Sequence, residues 1–156
     1  MPAQHRRSLL VSALLAAQWF ECALARASLG GDLASVQADA AALGGVVQAN
    51  ALLSYEVQQI DVPGGLSVRE YVGRDGIVFA LSWVGPAPPD LQQLLGGYFA
   101  AFSTGAAAQV HPGPVRSVRV LQPGLVVQWG GHLRAYTGQA CVPGLLPAGV
   151  SLADLH

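Results

Sequence analysis

Apolar and polar residues alternate from Leu66 to Val72, Gly73-Arg74-Asp75-Gly76 follows, and Ile77 to Val84 then runs as an almost wholly apolar segment. A period of two marks a strand with one face on a core, and a glycine-containing turn between two such runs marks an antiparallel hairpin. Tyr55 to Val62 carries the same signal, but its apolar positions change phase from Tyr55 and Val57 to Ile60 and Val62. A bulge near Gln58 is the expected cause, and Pro63-Gly64-Gly65 then turns the chain.

A helical period appears twice. DLASVQADAAALGG places Leu33, Val36, Ala40 and Leu43 along one side and stops at Gly44-Gly45. Later, GPAPPD breaks the sheet and delivers Asp90 as an N-cap, after which Leu91, Leu94, Leu95, Tyr98, Phe99 and Phe102 form one apolar stripe. Gly96 and Gly97 inside that stripe each cost about 1 kcal/mol relative to alanine, so close approach of another backbone is expected there. Strand signals return at Val115 to Leu121, Leu125 to Gly130 and His132 to Thr137, and VPGLLPAGVSLADLH reads as an irregular strap with a last helical turn.

These elements predict an α+β fold: an antiparallel sheet with two helices packed on one face. GIVFALSW at 76–83 is loosely echoed by GLVVQW at 124–129, the pattern of a duplicated helix-plus-meander unit. The expected core comprises Val68, Val72, Ile77, Phe79, Leu81, Trp83, Leu91, Leu94, Leu95, Phe99 and Phe102.

The N-terminus changes the domain count. His5, Arg6 and Arg7 precede an apolar run from Leu9 to Phe20, followed by Ala25-Arg26-Ala27, which is the layout of a signal peptide. The run is shorter than the roughly 20 residues of a spanning helix, so residues 1–27 are expected to be cleaved and 28–156 to form a single α+β domain. Glu21 before Cys22 does not suit lipid attachment, and no transmembrane anchor is expected after cleavage.

Charge excludes one class of partner. The formal net charge is −1 and there is no lysine, so no basic surface for nucleic acid is expected. Once Cys22 leaves with the signal, Cys141 has no disulfide partner. A thiol nucleophile paired with His111 or His132 is the enzymatic alternative, although QACVPG lacks the cationic context that lowers a cysteine pKa.

Other chemistry is sparse. His111, His132 and Cys141 lack zinc spacing, GGYFAAF lacks the lysine of a phosphate loop, and Ser82 reads as a strand residue. Asp61, Glu70, Asp75 and Asp90 read as turn or cap residues, so no carboxylate pair is expected. No metal, no cofactor and no catalytic residue is assigned. The polar constellation that strand alternation yields is Arg69, Tyr71, Arg119, His132, Arg134 and Tyr136 on one sheet face, where guanidinium and phenol groups suit recognition.

SVREYVGRDGIVFALSWVGPAPPDLQQLLGGYF resembles the signature region of an exported proteobacterial family, domain of unknown function 2844, and the early ASLGGDLASVQADAAALGG and late LLPAGV fit it too. The resemblance implies export and carries no activity and no catalytic residues. Together these readings give an exported binding or accessory protein, periplasmic or secreted, whose partner is another envelope protein or an anionic ligand. The alternatives are a small exported hydrolase or thiol enzyme using Cys141 and His132, and a structural envelope protein.

Overall fold

A computed structural model describes residues 29–109 and 117–155. The signal-peptide reading, Cys22, His111 and the start of the strand expected from Val115 lie outside the described residues. The chain runs α1 (Leu33–Leu43), β1 (Val46–Ala51), β2 (Tyr55–Val62), β3 (Leu66–Gly73), β4 (Val78–Gly85), α2 (Leu91–Leu95), α3 (Phe99–Ala107), β5 (Ser117–Gln122), β6 (Leu125–His132) and β7 (Ala135–Cys141). All seven strands form one antiparallel sheet in the order β1-β2-β3-β4-β7-β6-β5. Two meanders therefore meet edge to edge at β4 and β7.

This corrects the expected architecture. The sheet dominates, with one long helix and minor helical pieces. The second expected helix is broken: a 3₁₀ turn at Gly96–Tyr98 separates the five-residue α2 from α3. The reason lies in Gly96, whose φ of +48° is open to glycine and strained for other residues. A Cβ on Gly97 would meet nothing within 4 Å, so no other backbone approaches closely at that position. Nor is a duplicated unit shown, since the echoing segments fall on β4 and β6, which hold different places in their meanders.

Both faces of the sheet are covered. On the helix face, Val36 and Ala40 of α1, Leu94 and Leu95 of α2 and Phe102 of α3 pack on Ile60, Val68, Val72, Leu81, Trp83, Val120, Val127 and Ala140. On the other face, residues 142–155 form a strap whose Leu155 closes over Tyr71, Phe79, Ala80 and Cys141, with Tyr55 and Val57 beside them. The phase change in β2 follows directly. Glu56 to Val62 pair with β3 in unbroken register, so there is no bulge near Gln58. Tyr55 and Val57 simply serve the strap face, whereas Ile60 and Val62 serve the helix face.

The bulge sits one hairpin later. Tyr71 faces Ala80 but Val72 faces Val78, leaving Phe79 as the extra residue in β4. Phe79 consequently turns away from Val78 and Leu81 into the strap cluster, stacking edge-on with Tyr55 at 5.7 Å. A local insertion of one residue thus places a core aromatic on the face opposite the one that alternation assigns.

Asp32 caps α1 by accepting from the Ser35 backbone N–H at 3.0 Å, and Gly44 ends it in the left-handed conformation. Asp90 accepts from the Gln92 and Gln93 N–H groups at the start of α2. β1, which carries no alternation and is exposed along most of its length, escapes a reading based on hydrophobic period.

Candidate functional site

Antiparallel register aligns one residue from each strand across the sheet, and on the strap face one such row is polar throughout. It runs Gln48, Gln59, Arg69, Ser82, Gln139, Gln128, Arg119 from β1 to β5. Residues directly opposite each other point to the same side, so the seven polar side chains share this face. The next row contributes Ser67, Val84, Thr137, Gly130 and Ser117.

Five of the polar row, from Arg69 to Arg119, line a cleft of about 610 Å³, with Leu152, Ala153 and Leu155 of the strap as one wall. The two arginines stand four strand spacings apart, about 19 Å along the row. The floor is held by side chains bonded to one another. Arg69 Nε donates to Gln59 Oε1 at 3.0 Å, and Gln59 Nε2 donates to Asp61 at 2.9 Å. Gln139 anchors the strap when its amide is turned to satisfy both ends: the nitrogen then donates to the carbonyls of Leu155 (3.0 Å) and Leu152 (3.3 Å), and the oxygen accepts from Gln128 Nε2. Ser82 Oγ pairs with the Tyr71 hydroxyl at 3.0 Å.

Of the six residues expected to share a polar face, the structure brings Arg69 and Arg119 into this cleft. Tyr71 lies on the same face but is 2% exposed, covered by the strap and bonded to Ser82. His132 is exposed at the end of β6. Arg134 occupies the two-residue β6–β7 turn with φ +65°, and Tyr136 points to the helix face, its ring 6.3 Å from Trp129. The misplacement has one cause: the break expected between the strand ending at Gly130 and the strand starting at His132 lies inside β6. Gly131 is there because a Cβ would come within 2.3 Å of the Ala135 carbonyl oxygen. Moving the turn to Leu133-Arg134 puts His132 and Tyr136 on different strands and opposite faces.

The same geometry separates Cys141 from His132. Cys141 ends β7 where His132 pairs with Ala135 at its start, so six residues, about 20 Å of strand, lie between them. Cys141 is 2% exposed, and burial pushes its thiol up, away from the thiolate a nucleophile needs.

A carboxyl pair that sequence reasoning missed lies on the helix face. Glu70 of β3 is fully buried and Asp39 of α1 is 1% exposed. Gln93 Nε2, from α2, donates to Asp39 Oδ1 at 2.7 Å, while neither Glu70 oxygen nor Asp39 Oδ2 receives a bond from any N–H or hydroxyl. Burial, with the adjoining Asp39 carboxyl, pushes Glu70 up to about 9, so at neutral pH it keeps its proton beside Asp39. Burial also raises Asp39, opposed by the hydrogen bonds from Gln93 and Glu70. The signal was present: Glu70 alternates with the core residues Val68 and Val72, and Asp39 stands three residues after Val36. Because the sheet separates the pair from the cleft, it ties α1 and β3 together and does not face a ligand there.

Among the described residues, no helix is long and apolar enough to cross a membrane. No curated protein and no solved structure matches the chain. The family model described as a protein of unknown function, DUF2844, matches residues 25–155, and the chain belongs to that family.

Proposed function

We propose that the chain is an exported binding or accessory protein, periplasmic or secreted, that holds an acidic oligosaccharide in the strap-face cleft. The observation that carries this reading is the row Arg69, Ser82, Gln139, Gln128, Arg119 along the cleft. Interior strands bond their backbone groups to one another, so a ligand lying across them is read by side chains. Amides and a hydroxyl both donate and accept, as sugar hydroxyls do, and guanidinium groups at the two ends match carboxylate or sulfate substituents. Export is supported by the basic start, short apolar run and Ala25-Arg26-Ala27 of the sequence.

Calorimetric titration with an acidic oligosaccharide, oligogalacturonate, against a neutral one of equal length tests the reading. The acidic sugar is expected to bind at least tenfold more tightly, and Arg69→Glu with Arg119→Glu to abolish binding while the chain stays folded. Equal binding of both sugars, or full binding by the double variant, overturns it. Binding of an acidic peptide and of no sugar keeps the cleft and replaces the ligand class.

A further inference from the structure

The two edges of the sheet are treated differently. On β5 the outward backbone carbonyl of Arg119 is occupied by Gln109 Nε2 at 2.6 Å, and Arg119 itself places a charge on that edge. The β1 edge has neither device. Val46–Ala51 reads VVQANA, with no charge and no proline, and among the described residues no hydrogen bond covers its outer side. Proteins ordinarily blunt such an edge because its free N–H and C=O groups template another strand.

The outward groups can be named. The Leu52 N–H bonds the Tyr55 carbonyl across the β1–β2 pair, so by alternation Asn50, Gln48 and Val46 also bond inward. Val47, Ala49 and Ala51 therefore present their N–H and C=O outward. These three positions are symmetric about Ala49.

We propose that β1 pairs antiparallel with β1 of a second copy of this chain, about a two-fold axis through Ala49 that joins the two sheets into one. Ala49 then faces Ala49 of the second copy and Val47 faces Ala51, which uses all three outward positions. Gln48 meets Asn50 on the strap face, and their amides each donate and accept, so like surfaces are self-complementary. Absence of charge removes the repulsion that keeps most edges apart. Exposed Val46 (67%), Leu52 (49%) and Leu53 (89%) stand at the two ends of the strand, where association covers them. Six residues of edge are well short of the roughly 800 Å² per partner of a standard interface, so the dimer is weak and concentration-dependent.

Sedimentation velocity of the full-length chain over a concentration series is the test. A monomer–dimer equilibrium is expected, with the dimer fraction falling at least tenfold in Gln48→Lys, which sets like charges across the axis, and in Ala49→Pro, which deletes an outward N–H. Should Ala49→Pro misfold, Ala49→Cys in a Cys22→Ser background decides. Paired residues on the axis have Cα atoms about 5.5 Å apart, within disulfide range, so oxidation should yield a covalent dimer. Amide exchange at Val47, Ala49 and Ala51 should slow as the chain's own concentration rises. A wild-type chain monomeric at every concentration, or a Gln48→Lys dimer as strong as wild type, overturns the proposal. Protection that appears only when another extended polypeptide is added, the chain remaining monomeric, also overturns it and assigns the edge to that partner.

Discussion

The Glu70 carboxyl on β3 adjoins the Asp39 carboxyl on α1 inside the core, and among the described residues no N–H or hydroxyl bonds either Glu70 oxygen. Two carboxyl groups can share such a site only while one stays neutral. Both folded-state values lie above the ordinary ones of 4.5 and 3.8, so the folded chain binds more protons than the unfolded chain. Stability is therefore full below about pH 4 and declines as pH rises toward about 9. Urea denaturation across that window should show the decline, and Glu70→Gln, which keeps a donor without a titrating proton, should flatten it. A midpoint that rises with pH in the wild type would count against a shared proton.

Gly138 of β7 lies beneath two indoles: a Cβ there would sit 2.3 Å from Trp83 Cζ2 and 2.5 Å from Trp129 Cβ. Gly138→Ala should cost about 1–3 kcal/mol through overpacking, and Trp83→Ala about 3–5 kcal/mol through the cavity it leaves. Chemical denaturation measures both, and near-ultraviolet dichroism should change for Gly138→Ala as the indoles shift. A cost below about 0.5 kcal/mol for Gly138→Ala would show that the indoles yield freely.

The strap shields Cys141. Leu155 packs in the same cluster as Cys141, and Gln139 holds the strap by its backbone carbonyls. Gln139→Ala or Leu155→Ala should raise the rate of Cys141 labelling by a thiol reagent at least tenfold, in a Cys22→Ser background and without global unfolding. An unchanged rate would mean that the strap is held by other contacts.

Processing after Ala27 should leave a chain that begins at Ser28. Intact-mass measurement of protein from an envelope fraction checks this, and a product that retains Met1 or carries lipid at Cys22 would exclude the proposed route.

Hydrophobic period by itself determined the hairpin of β3 and β4, the bounds of β2, the α1 helix with its Asp32 and Gly44 ends, and the Asp90 cap, because each depends on neighbours within a few residues. Family membership was equally legible, since it rests on local motifs. Seven strands in one sheet, covered on both faces, were not legible, because a strand such as β1 that packs little carries no period. Only tertiary structure decided the faces of Phe79 and Tyr136, each set by a one-residue bulge or a turn displaced by a few positions. Alternation turns such small local shifts into a change of side. The polar row is likewise a property of register: its seven members are scattered from Gln48 to Gln139, and strand pairing alone brings them into line. The acid pair needed α1 to land on β3, an event that no local pattern encodes.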